Sequence, residues 1–171
     1  DCDTISNSVT ITVFEKPVVT IAADKTEICE GETVTFTASE TSGATGTITY
    51  EWTFNGTGTA NGDTYTTAAD LAAGTYTATV KAAIGDCDTI SNSVTITVFE
   101  KPVATLIATE SVCFGDTLTF TAEGGNEYIW TVTDKDGAAI TVSDTDNVIE
   151  FTEVGVYNVT VIAKSGDGCV S

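Results

Sequence analysis

The eighteen residues DCDTISNSVTITVFEKPV occupy positions 1–18 and recur, letter for letter, at 86–103, an offset of 85 residues. Such an internal repeat constrains the fold more than the length of 171 does, because one repeated unit implies one repeated domain. Aligning the copies divides the chain into three pieces. Residues 1–16 read as the last strand of a preceding repeat, 17–101 as a complete repeat, and 102–171 as a second repeat lacking its final strand. The expectation is a segment of something longer, whose natural unit begins near Pro17.

Further landmarks support this phase. ICEGETVTFTAS (28–39) matches VCFGDTLTFTAE (112–123), and YEWTFNG (50–56) matches YIWTVTD (128–134). AAGTYTATVKA (72–82) matches EVGVYNVTVIA (153–163), and Cys87 matches Cys169. Nearly all of them alternate with period two. Val34, Phe36 and Ala38 face one way and Thr33, Thr35 and Thr37 the other; Leu118, Phe120 and Ala122 repeat the pattern, as do Tyr76, Ala78 and Val80, and Val94, Ile96 and Val98. Alternation of this kind marks strands with one buried and one wet face. Gly- and Asp-rich stretches such as NGTGTANGD (55–63) and DKDG (134–137) punctuate them. Several short strands at such spacing predict an all-β chain of tandem Greek-key sandwiches.

Composition removes several function classes. There are 25 acidic residues against 6 basic ones, a net charge of −19, and no histidine. A chain so acidic repels phosphate backbones and anionic membrane surfaces, so no nucleic acid is expected as a partner. No stretch reaches the roughly 20 apolar residues of a spanning helix, so no membrane insertion is expected of this segment. Without histidine, a Ser/His/Asp or Cys/His centre has no base. Carboxylate pairs are plentiful, but they fall in turns and on wet faces, where solvation accounts for them. The expectation is a non-enzyme.

The remaining candidates are modest. DKDG and SDTDN (143–147) place Asp134, Asp136, Asp144 and Asp146 in one hairpin neighbourhood, and calcium favours several such oxygens. The spacing is not that of an EF-hand loop, and Asp-Gly is also an ordinary hairpin turn. No cofactor is expected, calcium being the one ion with candidate ligands. The Thr-x-Thr ranks lie on twisted strands, where Thr is a good exposed β-former. Trp52 and Trp130 fall at matching positions and are assigned to the core rather than to a sugar platform.

The Trp that follows a Tyr on a central strand, the Gly-x-Tyr at 74–76 and 155–157, and ICEGETVTFTA together give a specific resemblance. Over almost its whole length the chain resembles the Ig-like and PKD-like repeats of Bacteroidota cell-surface proteins. It departs from strict PKD domains, which carry Trp-Asp-Phe-Gly-Asp-Gly where this chain has WTFNGTG. The resemblance implies a tyrosine corner at Tyr76 and Tyr157 and an extracellular, cell-surface location. The function it implies is that of a structural stalk, spacer or adhesin array, with a carbohydrate- or protein-binding adhesion module as the alternative. Asp-Thr followed by an apolar residue, at Thr4, Thr89 and Thr117, resembles the O-glycosylation sequon of the same bacteria; such three-letter patterns also arise by chance in an Asp/Thr-rich chain.

An Ig-like topology also bears on the five cysteines. Pairing within modules joins Cys29 to Cys87 and Cys113 to Cys169. In such a sandwich, however, those positions fall at opposite ends, roughly 25–30 Å apart, whereas disulfide Cα atoms approach within about 7 Å. The expected bond is therefore one across the short EKP (100–102) joint, Cys29 to Cys169, with the within-module pairing as the alternative. Both remain open at the level of sequence. Finally, a repeat without its last strand and a spare copy of that strand predict association with neighbouring copies, head to tail, by strand donation.

Overall fold

The alternation of apolar residues with Thr leaves each strand one face to bury, and burial requires a second sheet. A computed structural model describes residues 7–109, 111–140, 142 and 148–171; these contain strands and turns and no helix. They divide into two units, Asp1–Val98 and Phe99–Ser171. The fold is an all-β, Ig-like sandwich.

The first unit contains β1 (Val19–Ala23), β2 (Glu27–Cys29), β3 (Thr35–Glu40), β4 (Thr49–Phe54), β5 (Thr57–Asn61), β6 (Thr64–Thr66), β7 (Gly74–Ile84), β8 (Cys87–Ile90) and β9 (Val94–Phe99). One sheet has the order β1-β3-β6; the other runs β2-β9-β7-β4-β5, with β8 also paired to β7. Their inner faces carry the alternating residues: Val34, Phe36, Ala38, Trp52, Ala78, Val80, Ile96 and Val98 are all buried. The Phe36 ring centroid lies 6.2 Å from Trp52 and 6.1 Å from Phe54, and Trp52 Nε1 donates to the Gly62 carbonyl at 2.8 Å. Indole is a large side chain with a single donor, so a buried Trp needs such an acceptor. β9 closes this unit. It pairs antiparallel with β7 from Gly74↔Val98 to Ala78↔Val94, and Thr97 N–H donates to the Thr26 carbonyl beside β2 at 2.8 Å.

The second unit contains β10 (Thr105–Ile107), β11 (Thr117–Thr119), β12 (Thr121–Glu123), β13 (Glu127–Thr133), β14 (Ala139–Ile140), β15 (Val148–Glu150) and β16 (Asn158–Lys164). β10 pairs β12, β11 pairs β15, and β14-β13-β16 form a three-stranded sheet. Phe120, Trp130, Val132, Ile149 and Phe151 are its buried centre, with Phe120 and Trp130 5.9 Å apart. Among the described residues this unit has no strand in the place that β9 takes in the first.

Of the strand expected in 1–16, residues 1–6 lie outside the described residues and the rest differs from the expectation. Residues 7–16 lie in no strand and are exposed throughout. A strand is held by its neighbours, and here VTITVF has none, whereas the same letters at 94–99 lie between β2 and β7. The Phe14 carbonyl accepts from the Cys87 thiol at 3.9 Å, which ties the end of the segment to its own unit.

Candidate functional site

Three structural devices recur or matter in these units. The first is a tyrosine corner. Tyr76 Oη donates to the Ala72 carbonyl at 2.9 Å, and Tyr157 Oη donates to the Glu153 carbonyl at 2.9 Å, four residues upstream in both cases. Each ring is half-buried against a Phe. Tyr76 stacks on Phe54 at 5.5 Å, and Tyr157 meets Phe151 edge-on at 4.8 Å.

The second device carries no motif in the sequence. Asn92, in the loop before β9, accepts from Ile21 N–H through Oδ1 at 2.9 Å and donates through Nδ2 to the Ile21 carbonyl at 3.2 Å. Its amide satisfies the donor and acceptor of β1 as a neighbouring strand would. The one available signal is that this Asn recurs as Asn7 in the first copy of SNSVTITVF. Nearby, Ser91 N–H donates to the Val80 carbonyl at 2.9 Å and Val80 N–H to Ser91 Oγ at 3.0 Å.

The third device is the cysteines. Cys29 and Cys169 are disulfide-bonded, and Cys87 and Cys113 are free. The within-module pairings Cys29–Cys87 and Cys113–Cys169 are therefore overturned. The reason lies inside each unit. Ala73 N–H donates to Glu30 Oε1 at 3.0 Å, which puts Cys29 at the Gly74 end of β7, while Cys87 is in register with Ile84 at the other end. Eleven residues of strand separate those ends by roughly 30 Å. In the second unit, Val112 and Phe114 flank Cys113 beside Gly155 and Val156, ahead of β16. Cys169 lies beyond its far end, where Val170 bridges Lys164.

The calcium candidates divide. Asp144 and Asp146 lie outside the described residues. Asp134 Oδ1 accepts from the N–H groups of Asp136 and Ala138, both at 2.9 Å, and so caps its own turn. Asp136 pairs with Lys135. Among the described residues no group of three His, Cys, Asp or Glu side chains is arranged to hold a metal. Of the glycosylation candidates, Thr117 on β11 is exposed, Thr89 on β8 is half-buried and Thr4 lies outside the described residues.

Two groups among the described residues have shifted acidities. The Ser42 hydroxyl beside Glu40 holds its carboxyl below the usual value, with the N–H groups of Ser42 and Gly43 adding to the effect against a small burial penalty. Burial pushes the Tyr50 hydroxyl up, and the charges of Glu40 and Asp63 act in the same direction. These shifts belong to a capped loop and a half-buried ring rather than to an acid–base pair.

A slot of about 460 Å³ with a mixed polar and apolar lining opens in the second unit. It is lined by Leu106, Val112, Phe114, Phe120, Tyr157 and Val159 among others. Val112, residues 155–157 and Val159 in its lining are the counterparts of Ile28 on β2 and of 74–76 and Ala78 on β7, the two strands beside β9 in the first unit. Ile28 is 3 % exposed but its counterpart Val112 is 37 %; Ile21 is 6 % exposed but its counterpart Leu106 is 38 %.

Comparison with known proteins agrees with this architecture. Residues 14–98 match the PKD domain. This is an Ig-like module of the kind found in extracellular and surface proteins. Among solved structures, the fibronectin(III)-like modules of Clostridium thermocellum CbhA are similar at 19% identity, with a TM-score of 0.44, covering 88% of this chain and 88% of that one. Three N-terminal domains of the bacteriophage RB49 highly immunogenic outer capsid protein (Hoc) are similar at 22% identity, with a TM-score of 0.42. That match covers 91% of this chain and 56% of the capsid chain, so the present chain spans little more than half of that relative. No curated protein sequence matches.

Proposed function

We propose that the chain is a non-catalytic structural segment of a bacterial extracellular surface protein, a run of Ig-like, PKD-type modules that serves as stalk or spacer. The observation that supports it is the repetition of one interior in both units. Phe36–Trp52 and Phe120–Trp130 occupy equivalent core positions, and Tyr76 and Tyr157 make the same corner bond. The most distinctive side chains are thus used to hold modules together, and equivalent positions are alike where a binding module would present one divergent copy. A disulfide and a charge of −19 suit an oxidising, aqueous exterior.

Single-molecule stretching tests this reading together with a glycan and protein binding screen. A structural segment is expected to show discrete, force-resistant rupture of folded modules and no saturable ligand. Saturable one-to-one binding of a carbohydrate or a protein would overturn it in favour of the adhesion-module alternative.

A further inference from the structure

Asparagine followed by glycine occurs twice in the sequence, at 55–56 and 61–62, on either side of β5. The fold holds the two pairs differently. Phe54 pairs with Thr57 across β4 and β5, so Asn55 and Gly56 are the whole of a two-residue hairpin loop. Asn55 has a φ of 49° and Gly56 a φ of 81°, the signs of a type I′ turn. Asn55 is the one non-glycine among the described residues with a positive φ. Both residues are exposed, and a side chain at Gly56 would meet nothing within 4 Å, so the approach to its nitrogen is open. Asn61, by contrast, lies in the β5 ladder opposite Glu51, and the Gly62 carbonyl after it accepts from Trp52 Nε1 at 2.8 Å. Other asparagines are tied or crowded. Asn92 bonds the Ile21 main chain through both ends of its amide, and Asn126 Oδ1 accepts from Gly166 N–H at 2.9 Å. Asn7 and Asn158 precede Ser8 and Val159, whose side chains crowd the following nitrogen.

We propose that Asn55 is a site of spontaneous, fold-directed deamidation, with water as the co-reactant and isoaspartate and aspartate as the products. The Gly56 nitrogen gives its proton to hydroxide or a buffer base and bonds to Asn55 Cγ. The Cγ–Nδ2 bond breaks, and the nitrogen leaves as ammonia after taking a proton from water. The resulting five-membered succinimide is then opened by water. Attack at the main-chain carbonyl gives isoaspartate, with the backbone routed through Cβ; attack at Cγ gives aspartate. Ring closure requires the Gly56 nitrogen to eclipse Cβ about the Cα–C bond. That sets Asn55 ψ near about −120° with φ still positive, the first central position of a type II′ turn. A type I′ turn becomes type II′ by flipping the one peptide between its central residues, and glycine accepts the φ of either sign. Asn55 is therefore one peptide rotation from the reactive geometry. At Asn61 the same rotation pulls on the ladder on one side and on the acceptor of a buried Trp on the other. Isoaspartate adds a main-chain atom to a two-residue loop and one negative charge to a chain at −19. β5 is the end strand of its sheet, so the change loosens an edge and leaves the core in place. The proposal rests on the geometry of the turn and does not depend on the stalk reading.

Incubation of the folded 171-residue chain across mildly alkaline pH, beside a guanidinium-unfolded sample, provides the test. Peptide mass spectrometry, with fragmentation that separates isoaspartate from aspartate, locates the modification. In the folded chain Asn55 is expected to react several-fold faster than Asn61, and faster as pH rises, because the deprotonated nitrogen is the nucleophile. In the unfolded chain the two sites are expected to converge, since each is then an Asn-Gly pair without a fold. Asn55→Gly removes the amide and keeps a residue suited to positive φ. It is expected to abolish the early methyl acceptance that an isoaspartyl methyltransferase detects with S-adenosylmethionine. Asn55 reacting no faster than Asn61 in the folded chain would overturn the proposal. So would a ratio between the two sites that unfolding leaves unchanged, or methyl acceptance that survives Asn55→Gly.

Discussion

Tyr76 and Asn92 both fasten one backbone stretch to another, yet they differ in what their loss leaves behind. Tyr76→Phe keeps the ring on Phe54 and removes only the hydroxyl bond to the Ala72 carbonyl, near solvent. Its expected cost is about 1 kcal/mol. Asn92→Ala removes a donor and an acceptor together and leaves the N–H and C=O of Ile21 without their partners in a partly buried strand. About 1–3 kcal/mol is expected, because an unsatisfied buried group costs more than a net hydrogen bond is worth. Urea unfolding of the two variants gives the comparison; Tyr76→Phe costing as much as Asn92→Ala would contradict it. The Tyr was legible in the sequence because Gly-x-Tyr marks a strand start with a fixed local partner. Asn92 was not, because its partner is main chain 71 residues away and main chain carries no letter. An Asn in a polar loop reads as an ordinary turn residue.

The six letters VTITVF show how far an element is a property of its surroundings. At 94–99 they are a strand with two partners; at 9–14 they are exposed chain. Alternation told which residues share a face, and it did so correctly for Val34, Phe36 and Ala38 and for Ile96 and Val98, all of which are buried. It could not tell whether that face would find a cover, because cover depends on tertiary pairing that local pattern does not encode. A matched pair of substitutions separates the two contexts. Ile96→Asp puts a carboxylate at a fully buried position and is expected to cost about 4 kcal/mol or more, a large part of a small domain's stability. Ile11→Asp makes the same change in the same local sequence at an exposed position, and in dilute monomer is expected to lie within about 0.5 kcal/mol of wild type. Thermal unfolding followed by circular dichroism measures both. Equal losses would mean that residues 9–14 are packed in the dilute monomer after all.

At the scale of the whole chain, two long-range terms act in opposite directions. The charge of −19 is spread over turns and wet faces and resists compaction, while a Cys29–Cys169 bond, the pairing expected across the joint, would oppose the expansion of the unfolded chain. That bond closes a loop of 140 residues (169 minus 29), which on the chain-entropy account corresponds to roughly 5 kcal/mol. The figure is an upper bound here, because each unit has its own core and one folded unit shortens the loop left to the other. Its weight should grow as salt falls and the acidic surface repels itself more strongly. Reduction, or Cys29→Ser, is therefore expected to lower the urea midpoint, and to lower it more at low ionic strength than at high. Peptide mapping of the unreduced protein fixes the premise by yielding a linked 29–169 peptide with Cys87 and Cys113 open to alkylation. A 29–87 peptide would remove it, and an unchanged midpoint after reduction would show that the units hold without the bond.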